Sequence, residues 1–143
     1  QEPSLNNMVY LTPFESLVVK DGDDIKINVE PIYFDYDKSD ITARAEIELK
    51  KVLFAMREFP EIKIKIESHT DSRGKDSYNL KLSDARAKST RNYLIASGIA
   101  ESRIISASGY GESQLKNECS NGVRCSEQKH LINRRSDFIV VPK

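Results

Sequence analysis

Between Ile32 and Ala107 the spacing of apolar residues switches back and forth between two periods, and few folds accommodate that switching. Ile32, Phe34 and Tyr36 alternate with Tyr33, Asp35 and Asp37, the period-two pattern of a strand. Lys38-Ser39-Asp40 reads as a turn. Ala45, Leu49, Val52, Met56 and Phe59 then recur at alternating spacings of four and three, one face of a helix that Pro60 ends. Ile62, Ile64 and Ile66 alternate with Lys63, Lys65 and Glu67, the cleanest strand signal in the chain. A second helix is predicted from about Asn79 to Ser97, with Ala87, Thr90 and Leu94 inward and Gly98 as its left-handed stop. Further strands are predicted over 103–107 and 137–141. Strands alternating with helices imply at least one crossover between parallel strands. The expected fold is a two-layer α/β sandwich: a four-stranded mixed sheet with two main helices on one face, in the order β-α-β-α-β-loop-β.

The chain has 143 residues, the size of one domain, and 38% hydrophobic residues supply one core without any Trp. Residues 1–30 show no sustained period. Pro3, Asn6, Asn7, Pro13 and the run Asp21-Gly22-Asp23-Asp24 punctuate them, and six acidic groups stand against two basic ones. They read as an acidic lead-in arm with one short strand near 25–29, preceding a globular domain over 31–143. The whole chain is balanced, 22 basic against 22 acidic residues. That disfavours nucleic-acid binding, which relies on a basic excess to neutralise phosphates. The longest apolar runs, such as Val52-Leu53-Phe54-Ala55-Met56, fall far short of the roughly 20 residues of a membrane-spanning helix. Membrane association is expected only through regions outside this sequence.

Cys119 and Cys125 flank an Asn121-Gly122 turn in a polar stretch. Three readings are open: a disulfide closing a small loop, two free thiols, or a zinc site completed by His130. Structural zinc sites use two tight ligand pairs, whereas this stretch offers one loose pair and one His. The spacing therefore favours the disulfide, and with it a compartment outside the cytosol.

Thr70 and Asp71 lie where the Ile-rich strand ends, and Arg86 lies two turns into the helix that follows. A carboxylate and a guanidinium facing one cleft form a receptor for a zwitterion, Asp71 taking an ammonium and Arg86 a carboxylate through paired hydrogen bonds. A plain Asp71–Arg86 salt bridge is the other reading, and spacing leaves both open. Catalysis is not expected. His69 and His130 have no identifiable nucleophile beside them, and no Gly-rich phosphate loop occurs.

Four blocks agree, in order, with one family. They are Ile32-Tyr33-Phe34-Asp35-Tyr36-Asp37-Lys38-Ser39; His69-Thr70-Asp71 with Gly74; Asn79 with Leu82-Ser83, Arg86-Ala87 and Leu94; and Gly109-Tyr110-Gly111 followed by Asn133-Arg134-Arg135. Together they resemble the OmpA-like peptidoglycan-binding domain, found at the C-termini of outer-membrane protein A relatives and in peptidoglycan-associated lipoproteins. The resemblance implies non-covalent binding of the diaminopimelate residue of the wall stem peptide, without a cofactor. It implies that Asp71 and Arg86 hold the ammonium and carboxylate, and that Thr70, Asn79, Asp35, Leu82 and Arg134 line the pocket. Asn79 as a helix N-cap and Leu82 as a core residue stay open beside those roles. Arg135 is expected to point away, because strand neighbours alternate. The implied location is the periplasm, attached to the outer membrane of a Gram-negative bacterium. The wall anchor of a motor stator is an alternative of the same kind, and a zinc-dependent wall hydrolase using the Cys/His loop is one of a different class. Two departures from the family pattern stand out: Ser68 replaces a Gly common before His-Thr-Asp, and the loop over 112–131 is long.

Overall fold

The structure, a computed structural model, describes residues 14–30 and 32–141. The expected punctuation at Pro3, Asn6, Asn7 and Pro13 lies outside the described residues. The elements are β1 (Val18–Asp21), β2 (Asp24–Ile27), β3 (Ile32–Tyr33), α1 (Ala43–Glu58), β4 (Lys63–Ser68), α2 (Asp76–Ala96), β5 (Ile104–Gly109), α3 (Glu127–Asn133) and β6 (Arg135–Val141). They form the expected mixed α/β sandwich with an open sheet. The strand order is β1-β2-β6-β4-β5, with β3 also paired to β6.

β4 is parallel to β5 and antiparallel to β6 along its whole length, from Lys63↔Val141 to Ser68↔Ser136. Its period-two pattern places Ile64 and Ile66 in the core and leaves Lys63 and Lys65 exposed. The other edge of β6 is shared: β2 pairs at Ile139 and β3 at Arg135 and Ser136. Leu49, Val52 and Met56 of α1 and Ala87 and Leu94 of α2 pack with Ile64, Ile66 and Phe138 in one cluster, so both helices cover the same face.

The helix ends follow local chemistry. Thr42 caps α1, its Oγ1 accepting from Ala45 N at 3.0 Å. At the end of α2 the Gly98 amide bonds Ile95 O and the Ile99 amide bonds Leu94 O, the double bond of a Schellman stop, with Gly98 at φ +108°.

The structure departs from the sequence reading in five respects. Among the described residues the sheet has six strands rather than four. The acidic segment expected to hold one short strand forms a two-strand hairpin, turning at Gly22-Asp23. That hairpin docks on β6 and buries Ile27 in the core. The strand expected through Tyr36 ends at Tyr33; Phe34 makes one further bond to Arg134 O, and the chain then turns at Asp37. α2 begins at Asp76 rather than Asn79, and the long loop contains α3, capped by Ser126.

Cys119 and Cys125 are joined as a disulfide. This removes the zinc site with His130, since the thiol ligands are consumed. The Cys119 carbonyl accepts from Ser72 Oγ, so the loop is packed against the segment that follows Asp71. Closing so short a loop contributes about 2 kcal/mol by chain entropy. Reduction should therefore lower the melting temperature by about 5–10 °C. An unchanged Tm, measured by circular dichroism with and without reductant, would show that the loop holds its place without the bridge.

Candidate functional site

The site is built where β4 runs out. The His69 amide bonds Arg135 O at 2.8 Å and the Thr70 amide bonds Gly111 O at 2.9 Å. These bonds pin the segment between the start of β6 and the turn after β5. Asp71 follows, buried, at the edge of a solvent-open pocket. Tyr36, Thr70, Asp71, Arg73, Leu82, Arg86 and Arg134 are among the residues that line it.

Asp71 and Arg86 share this pocket but are not bonded to each other, so the plain salt bridge is not formed. The Asp71 carboxylate is instead held by Arg134 Nη1 at 3.0 Å and by Arg73, whose Nη2, Nε and backbone amide lie at 2.7, 3.2 and 2.9 Å. Burial alone would raise the Asp71 pKa. The hydrogen bonds from Arg73 and Arg134 outweigh it and hold the carboxyl below its ordinary value.

Arg86 is 0% exposed. Its Nε, Nη1 and Nη2 donate to the carbonyls of Lys38, His69 and Asp35 at 2.9, 3.1 and 3.1 Å, and its guanidinium lies 5.1 Å from the centre of the Phe34 ring. A guanidinium has five N–H donors, so two remain beyond these three bonds. Among the described residues no carboxylate pairs with it. Burial, and then the Arg134 charge, pull its pKa down to about 10, against the opposing pull of Asp71. It is still a cation at neutral pH.

The other expected residues divide. Thr70 lines the pocket, and its buried Oγ1 has no hydrogen-bond partner among the described residues. Leu82 is half-buried and lines the pocket rather than the core. Asn79 sits inside the first turn of α2 and is not its N-cap; Lys75 holds that position. The Asn79 side chain donates to Asp71 O at 3.3 Å and Glu112 Oε1 at 3.2 Å. Arg134 adds bonds to Phe34 O and Glu127, fixing the cation behind Asp71. Asp35 departs from expectation: it is exposed and contributes only its backbone carbonyl to Arg86. The chain leaves the sheet after Tyr33, which turns the Asp35 side chain out and brings Tyr36 and Asp37 to the pocket instead. Arg135 points away as expected and pairs with Asp137 at 3.3 Å. Sequence reasoning missed Arg73 and Glu127. Arg73 stands inside the His69–Gly74 block, and an Arg two residues after a turn Asp was a readable signal.

Behind the pocket, buried His69 stacks on Tyr110, with ring centres 5.7 Å apart; neither ring nitrogen is hydrogen-bonded among the described residues, and Nε2 lies 3.7 Å from Asp137 Oδ2. Burial, then the Arg135 charge, push its pKa down to about 4, while Asp137 opposes them. Between pH 6.5 and 4 the unfolded chain therefore binds a proton that the folded chain refuses, so stability falls as pH drops through this window. The full loss is about 3 kcal/mol. Urea unfolding at pH 7 and pH 4.5 should show most of it. The His69→Gln variant should lose less over the same interval; an equal loss would assign the effect to other groups.

The sequence model of the OmpA family matches residues 33–129. Outer membrane porin F of Pseudomonas fluorescens is 40% identical over 109 residues, which are 76% of this chain and 32% of the porin. A peptidoglycan-associated lipoprotein of Brucella melitensis is 34% identical over 110 residues, 76% of this chain and 65% of the lipoprotein. The chain thus spans about a third of the one relative and just under two thirds of the other. Among solved structures, the peptidoglycan-associated lipoprotein from Burkholderia pseudomallei superposes with a TM-score of 0.67 at 25% identity, over 78% of this chain and 90% of that one. The C-terminal domain of Helicobacter pylori MotB superposes with a TM-score of 0.69 over 81% of this chain and 87% of that one; at 17% identity it speaks to the fold alone. With its fold shared and most of its length under one family's sequence model, the chain belongs to the OmpA family.

Proposed function

We propose that this domain binds peptidoglycan non-covalently through the diaminopimelate residue of the stem peptide, and so anchors an envelope protein to the cell wall. Asp71 takes the ammonium and Arg86 the carboxylate of the free amino-acid end. The observation that carries this reading is Arg86: a buried guanidinium beside Asp71, with donors to spare and no carboxylate of its own among the described residues. A buried charge without a counter-charge is costly unless a ligand supplies one. Thr70 Oγ1, without a hydrogen-bond partner among the described residues, offers the same ligand a further hydrogen bond. The names of the lipoprotein relatives agree with a wall-binding role. This is a binding domain, not an enzyme, and it uses no cofactor. Residues 31–143 carry the site, and residues 1–30 act as a lead-in whose hairpin caps the free edge of β6. We place the domain in the periplasm, attached to the outer membrane through regions outside this sequence. Because the wall repeats its sites, several copies on one membrane would gain avidity from modest single-site affinity.

Purified sacculi should pull down the protein, and the tripeptide L-Ala-D-Glu-meso-diaminopimelate should titrate it to saturation. Amidating the carboxylate of the peptide's free amino-acid end should abolish that titration. Equal binding of the amidated peptide would remove Arg86 from the reading.

A further inference from the structure

The Asp71 carboxylate has no vacancy for the ammonium assigned to it. A carboxylate offers about four lone-pair positions. Oδ1 already accepts the backbone amide and Nε of Arg73, and Oδ2 accepts Nη2 of Arg73 and Nη1 of Arg134. One of these donors must leave before a ligand can enter. The backbone amide belongs to the turn and stays. The Arg134 side chain is 4% exposed and is held also by Phe34 O. The Arg73 side chain is 33% exposed, at the mouth of the pocket. Its guanidinium lies 4.2 Å from the centre of the exposed Tyr36 ring and pairs with Glu127 at 3.1 Å. Once released from Asp71 it still has both partners outside the carboxylate.

We propose that Arg73 is a tethered competitor for Asp71, an internal cation standing where the ligand ammonium must go, so that it sets the affinity of the site. The inference rests on Asp71 as the ammonium site. Binding exchanges one charge-assisted pair for another, so the ligand's gain at Asp71 is reduced by the pair it displaces. Selection then falls on Arg86, which has no internal competitor carboxylate among the described residues. Apparent affinity scales with the fraction of molecules in which Arg73 has swung clear. Two charge-assisted side-chain bonds to a buried carboxylate keep that fraction low, and the Tyr36 and Glu127 contacts that survive release keep it from vanishing.

The test is titration of L-Ala-D-Glu-meso-diaminopimelate into the parent, Arg73→Gln, Arg73→Lys and Asp71→Asn proteins. Arg73→Gln should bind about three- to tenfold tighter than the parent. Arg73→Lys, which keeps the charge without the planar fork, should fall between them. In the parent, the Arg73 Nε–H resonance should shift on adding peptide. If Arg73→Gln binds no tighter, or the resonance does not move, while Asp71→Asn loses binding, the competitor is overturned and the site reading stands. If the parent does not bind, or Asp71→Asn binds like the parent, both fall together.

Discussion

Replacing Asp71 by asparagine should cost about 2–5 kcal/mol of binding to the diaminopimelate tripeptide, and Arg86→Lys should cost a similar amount. Asparagine keeps the size of Asp71 but has no charge for the ammonium. Lysine keeps the charge of Arg86 but cannot reproduce a planar fork that serves three carbonyls and a ligand carboxylate together. Neither change leaves folding untouched. Arg134 is buried and loses one of its two carboxylate partners in Asp71→Asn, keeping Glu127. About 1–3 kcal/mol of stability should go with it. Arg86→Ala would strand the carbonyls of Asp35, Lys38 and His69 and open a cavity, so an unfolded protein is its expected outcome and the lysine variant is the informative one. Binding should be read by calorimetric titration at a temperature where circular dichroism shows each variant folded. Variants that are folded and bind as the parent does would place the recognition pocket elsewhere.

Gly109→Ala should destabilise the fold by about 3 kcal/mol, an overpacking effect at the large end of its range. A Cβ on Gly109 would lie 2.2 Å from Asp84 N, 2.3 Å from Ser83 Oγ and 2.4 Å from Ser83 C. Two of these are backbone atoms of α2, so no side-chain rotation relieves the clash. The helix must move off the end of β5, and with it goes the Ser83 Oγ bond to the Gly111 amide at 2.8 Å. Because Arg86 stands on the same turn of α2, peptide affinity should fall together with stability. The check is urea denaturation with peptide titration of the surviving folded fraction. A variant with parent-like midpoint and affinity would mean that α2 and β5 are less rigidly apposed than their contact implies.

Much of this molecule is local and therefore readable in its sequence. The alternation of Ile62, Ile64 and Ile66 defines β4 because a strand exposes every second residue. The stripe from Ala45 to Met56 defines the inner face of α1 because helical periodicity is a local property. Gly98 stops α2 through bonds that span a few residues. The resemblance to the OmpA-like family was legible in the same way, since Thr70, Asp71 and Arg86 sit in short sequence blocks. What sequence spacing left open was who pairs with whom. Asp71 is bound by Arg134, 63 positions away, because the sheet brings the start of β6 beside the end of β4. Arg86 is claimed by three carbonyls that converge only when the turn after β3 closes over α2. The hairpin over 18–27 reads as an acidic arm until the edge of β6 supplies it with a partner. Periodicity reports which face a residue shows, but pairing depends on which distant segments the core draws together. The carboxylate held by Arg73 and Arg134, and the guanidinium without a carboxylate partner among the described residues, are therefore products of the tertiary structure.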